Sequence, residues 1–81
     1  MEIMRVKDEL VCTRRVPELM ATSLRVLENQ EGGLVVASDP VGVPIGKWVF
    51  TSSGTAARFA MQDSRTTTDL TICGIIDNWD K

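Results

Sequence analysis

Few residues in this chain could do acid–base, nucleophilic or metal chemistry, and their spacing keeps them apart. The 81 residues include no histidine. No imidazole can therefore shuttle a proton near neutral pH, and no Ser/His or Cys/His pair can activate a nucleophile. Ser52 and Ser53 lack a base nearby in sequence, and small adjacent hydroxyls beside Gly54 suit a turn better than a nucleophile. Asp69 and Asp77 flank an apolar run. At the ~3.3 Å rise per residue of a strand they stand too far apart to work as one acid/base pair. Cys12 and Cys73 are not in a Cys-x-x-Cys arrangement, so two buried reduced thiols are expected. A structural zinc needs four ligands, which the two cysteines cannot supply without carboxylates. Gly42-Val43-Pro44-Ile45-Gly46-Lys47-Trp48 approaches a phosphate loop, but it is one residue short between the glycines, and Trp48 stands where a magnesium-binding hydroxyl is required. These residues predict no catalytic group, no cofactor and no metal.

The bulk composition narrows the partners. Nine basic residues face eleven acidic ones, for a formal net charge of -2. A nucleic-acid partner calls for clustered cations that displace counterions from phosphates, and here the basic residues are scattered. Arg14 and Arg15 are adjacent, with Glu9 and Glu18 close by, and read as a solvated turn. No apolar run is long enough to span a bilayer. Charges at the N-terminus occupy the place of a signal peptide's apolar core, which predicts a cytosolic protein without a membrane partner. Residues 1–81 suffice for a single domain with a modest core, a size class that often relies on staples or oligomerisation.

The elements that would position these residues follow from pattern and punctuation. Residues 3–13 read as a long strand with imperfect alternation, ended by Pro17. Residues 23–28 and 34–38 read as two strands joined through Gly32 and Gly33, hence an antiparallel hairpin. Residues 39–46 form a Gly/Pro loop. Residues 47–51 are a fourth strand, with Trp48 and Phe50 on one face and Lys47, Val49 and Thr51 on the other. Ser52, Ser53 and Gly54 make a small-residue turn. A short helix follows over 56–61, capped by Ser53 or Thr55 and anchored on the sheet by Phe59. Residues 69–77 form the last and most apolar strand, in which Gly74 marks a bend or a close approach. The predicted fold class is therefore all-β with one short helix, a small five-stranded antiparallel barrel of the oligonucleotide-binding type. Such a barrel admits single-stranded nucleic acid as an alternative function, although the acidic balance and scarce aromatics argue against it. Trp79, close to the C-terminal end, predicts a packing contact.

Five stretches in order carry a resemblance to the vertex proteins of bacterial microcompartment shells. They are Met1-Glu2-Ile3-Met4-Arg5-Val6 with Leu10-Val11-Cys12-Thr13; Val36-Ala37-Ser38-Asp39 leading to Gly42; Gly46-Lys47-Trp48-Val49; Ser53-Gly54-Thr55-Ala56-Ala57-Arg58; and the run from Asp69 to Asp77. Trp48-Val49-Phe50 and the ending from Ile75 to Asp80 look most like the alpha-carboxysome members. Lys47 departs from the acidic residue many relatives carry, and Gly54-Thr55-Ala56-Ala57-Arg58 departs from the family's Gly-Ser-Ser-Ala-Arg turn. The resemblance implies a cyclic homopentamer that caps the corners of a polyhedral carboxysome shell in the bacterial cytoplasm, with hexameric facet proteins as partners. It places Ser52, Ser53, Gly54 and Thr55 near the five-fold axis, where small residues meet a packing requirement first and line a passage for small anions second. It places Arg58, Asp69, Asp77 and Trp79 at the subunit interface, where Arg58 would pair with Asp69 or Asp77.

Overall fold

The computed structural model describes residues 1–19, 21–61, 63 and 65–79. Five strands wrap into a closed barrel: β1 (Glu2–Glu9), β2 (Leu24–Glu28), β3 (Leu34–Ser38), β4 (Trp48–Ser53) and β5 (Leu70–Ile76). The order around the barrel is β1-β2-β3-β5-β4. One helix, α1 (Thr55–Phe59), lies between β4 and β5, and a 3-10 turn covers Pro17–Leu19.

Alternation decides which side chains enter the core. On β1, Met4 and Val6 are buried while Arg5 is exposed. On β4, Val49 and Thr51 point inward and Phe50 outward, which settles the face that the sequence left open. With Leu27, Ala37, Val43 and Ile72, these apolar side chains make one core cluster, against which Val35 and Leu70 pack. Val43 comes from the Gly/Pro loop and is 1% exposed, so that loop supplies part of the core. The loop is also stitched to β1: Gly46 N–H donates to Val6 O at 2.8 Å, and Val6 N–H donates to Lys47 O at 3.0 Å.

Several boundaries differ from the sequence reading. β1 stops at Glu9 instead of running to residue 13. A register shift between Val6 and Asp8 turns the strand, Asp8 Oδ1 accepts the Glu9 N–H, and one last rung joins Leu10 N to Leu24 O. Ser52 and Ser53 are strand residues opposite Thr71 and Leu70, not turn residues. Only Gly54, at φ 63°, makes the reversal. The cap of α1 is this glycine, and neither Ser53 nor Thr55 makes a capping hydrogen bond. The cap position falls on a glycine, which has no side chain to accept from the first turn. Phe59 does not anchor α1; it is 74% exposed, and Ala57 is the helix residue buried in the protein. Gly74 marks the expected close approach, because a Cβ there would stand 2.5 Å from the Phe50 ring. Of the five strand pairings, four are antiparallel and one is not: β3 meets β5 in parallel, through Ser38 and Thr71.

The register of β5 can be checked by mutation at fixed protein concentration. Ile72 is fully buried and Ile75 is 37% exposed. Ile72→Ala is expected to cost about 2–5 kcal/mol in urea unfolding, and Ile75→Ala about 1 kcal/mol or less. Equal costs would contradict the register.

Candidate assembly surface

At the base of the barrel the small residues of β4 meet the start of β5. Ser52 lies opposite Thr71 and Ser53 opposite Leu70, and Gly54 N–H donates to Asp69 O at 2.9 Å. Behind this tip is a cluster of buried hydroxyls. Ser38 Oγ lies 2.9 Å from Thr71 Oγ1 and 3.0 Å from Thr68 Oγ1, and it donates to Leu70 O. Thr71 Oγ1 donates to Ala57 O at 2.7 Å, tying α1 to the sheet. Buried hydroxyls need such partners, since each one left unpaired costs the full desolvation penalty.

The four residues predicted for the axis do not behave alike. Ser53, Gly54 and Thr55 are exposed. Ser52 is 6% exposed, and its Oγ accepts from Cys73 Sγ at 3.2 Å, so its hydroxyl is held within the protein. Of the predicted interface residues, Arg58 and Asp69 line one shallow hollow with Gly54, Thr55 and Thr66. Arg58 makes no ion pair within the chain among the described residues. Asp77 and Trp79 follow the far end of β5 and are not brought to this hollow. Trp79 stacks edge-on against Trp48, with ring centroids 6.3 Å apart, and the Arg5 guanidinium lies over the Trp48 ring, 5.9 Å from its centroid. The Trp79 Nε1 donor is buried and has no acceptor among the described residues. Asp80 and Lys81, which complete the tail, lie outside the described residues.

Two other expectations need correction. Cys12 is exposed, not buried, and Cys73 is half-buried. Cys12 falls past the end of β1, where the chain leaves the barrel wall. Arg15 is not simply solvated: its Nη1 donates to the Leu19 and Thr22 carbonyls and clamps the 3-10 turn.

The residue that the sequence reading passed over is Asp39. Its side chain is fully buried. Oδ1 accepts the N–H groups of Val41 and Gly42, both at 2.9 Å, and Oδ2 accepts that of Val43 at 2.7 Å. Arg25 Nε sits 3.4 Å from the same Oδ2, and its Nη1 reaches the exposed Glu9 at 3.6 Å. One carboxylate thus organises the loop that carries Val43 into the core. The signal was an Asp at a loop entrance, where the short side chain bonds backbone a few residues ahead.

Comparison with known proteins places this barrel. Residues 1–77 match the family model described as "Ethanolamine utilisation protein EutN/carboxysome". The chain belongs to this family. It is 58% identical over 79 residues to the carboxysome shell vertex protein CsoS4B of Halothiobacillus neapolitanus, covering 98% of each chain. The solved structure of that protein superposes with a TM-score of 0.92, covering 96% of this chain and 100% of the other. The CsoS4A vertex protein of the same organism is 39% identical over 80 residues, covering 98% of this chain and 96% of the relative. The solved GrpN pentameric microcompartment shell protein from Rhodospirillum rubrum is 28% identical, with a TM-score of 0.86 over 100% of this chain and 99% of the other. The oligonucleotide-binding alternative finds no support among these relatives, which are shell proteins.

Within this EutN/carboxysome family barrel, Asp39 is the polar group on which most backbone donors converge. Asp39→Ala strands three N–H groups and takes from Arg25 one of its two carboxylate partners. The expected loss is about 3–5 kcal/mol in urea unfolding, with a smaller loss for Asp39→Asn, which keeps one acceptor oxygen. An Asp39→Ala midpoint equal to the wild type would show that the loop is held by other contacts.

Proposed function

We infer that this protein is a structural vertex subunit, five copies of which close into a ring at the corner of a polyhedral carboxysome shell. The observation that carries this reading is the match in both sequence and length to a carboxysome vertex protein, with a superposition to match. The geometry is consistent with it. Hexagonal units tile a flat sheet, and five-fold units let such a sheet close. The partners are then other copies of this chain and the hexameric facet proteins around the ring, and the role is architectural rather than catalytic.

In such a ring the exposed Ser53, Gly54 and Thr55 converge on the axis, with Ser52 behind them. Small residues allow the close approach that a five-fold axis demands. A five-residue helix adds little dipole, which favours tight packing over anion passage as the first role of this tip. Arg58, with no ion partner in its own chain among the described residues, faces out from the same hollow to meet a carboxylate, Asp69 or Asp77, of the adjoining subunit. Trp79 belongs to the interface on this reading, held in position by its edge-on contact with Trp48.

Shell assembly from purified facet proteins, imaged with and without this chain, tests the role. With it, closed polyhedra are expected. Without it, open sheets or elongated bodies should dominate. Equal closure in both preparations would rule the vertex role out.

A further inference from the structure

The closure of the barrel is incomplete along β3. Asn29 N–H donates to Gly33 O, and Asp39 N–H donates to Ser23 O, at 2.9 and 2.8 Å. In an antiparallel pair, hydrogen-bonded and non-bonded positions alternate. With the observed register, the bonded partners between these two rungs are Leu27 with Val35 and Arg25 with Ala37. Leu34 and Val36 must therefore turn their own N–H and C=O groups away from β2. On that side β5 reaches only Ser38, so the main-chain groups of Leu34 and Val36 have no strand partner among the described residues. Their side chains also point outward, 64% and 47% exposed.

Proteins protect an open edge with charge, proline, a bulge or a covering element. The strand Leu34-Val35-Val36-Ala37-Ser38 carries no charge and no proline, its pairing with β2 has no bulge, and α1 contacts only β4 and β5. Among the described strands and helices none covers this edge, which leaves it open to another chain. A five-fold ring needs two different patches on each subunit, and this edge has a counterpart. β1 and β4 lie across the barrel from β3. There the paired residues Ile3 and Phe50 point outward, opposite in sense to the inward Met4 and Val49. The edge also adjoins the base of the barrel. Ser38, Thr71 and Ser52 form one row across β3, β5 and β4. From that row, β3 toward Leu34 and β4 toward Gly54 leave in the same direction.

We propose that the open Leu34/Val36 edge of β3 is the patch on which the next copy of this chain is seated, through its Ile3/Phe50 face. This rests on the pentamer reading and specifies which surfaces join. Val36→Lys and Phe50→Lys should each raise the protein concentration for half-dissociation at least tenfold in native mass spectrometry. Val41→Lys, at a 44% exposed residue in the loop beyond β3, should leave it unchanged. Intact rings of Val36→Lys at wild-type concentrations would overturn the proposal, whereas a wild type that is itself monomeric would instead overturn the pentamer reading. Where a variant fails to fold, amide exchange on the wild type decides. Protection of the Leu34 and Val36 amides that grows with assembly supports the seat. Fast exchange of both in the assembled state refutes it, whether a facet protein or solvent then faces the edge.

Discussion

The barrel is closed by a single parallel rung, Ser38 against Thr71, and much of the molecule depends on that contact being made in polar chemistry. Both residues are buried, at 1% and 0% exposure. Their hydroxyls bond to each other, to Thr68, and to the carbonyls of Leu70 and Ala57. Had this seam been apolar, the carbonyls of Leu70 and Ala57 would lose those donors at a buried position. As it is, one cluster joins β3, β5 and α1 and fixes where the base of the barrel sits. Because the rung is single, it also leaves the rest of β3 with an unpaired edge. The same contact that completes the protomer thus makes a surface that suits a neighbour.

The opposite constraint is Asp39, the residue that follows Ser38. Its carboxylate gathers three backbone donors and the Arg25 guanidinium, and so turns a Gly/Pro loop into a rigid part of the core. A chain of 81 residues has little apolar area to bury. It makes up the shortfall with backbone-organising polar groups inside and, as a ring subunit, with burial against neighbours outside. The large apolar residues left exposed, among them Leu34, Val36, Phe50 and Phe59, fit that division.

Much of this was legible in the residues. The β2–β3 hairpin followed from its glycines, and β3 was placed at its observed limits, because turn chemistry and an apolar run are local signals. The absence of histidine removed most catalytic schemes without any structure. Other features depend on contacts distant in sequence. The core face of β4 is set by β1 and β5 on either side. The end of β1 is set by its bulge against β2. Phe59 looked like an anchor because an aromatic on a short helix usually packs, yet α1 buries Ala57 toward Thr71 and leaves Phe59 outside. The candidate site was only partly legible: Gly54, Thr55, Arg58 and Asp69 do share one surface, while Trp79 turned out to have a partner, Trp48, in its own chain. Asp39 was missed because nothing local distinguishes a loop Asp facing water from one that holds the loop together.

What the chain does is decided between copies rather than within one. The central claim is a discrete ring, and the most direct measurement is the native mass of the unmodified protein at micromolar concentration. A closed pentamer predicts one species near 44 kDa, five times the 8.9 kDa chain. A monomer, a dimer or a ladder of sizes without a dominant pentamer would contradict it.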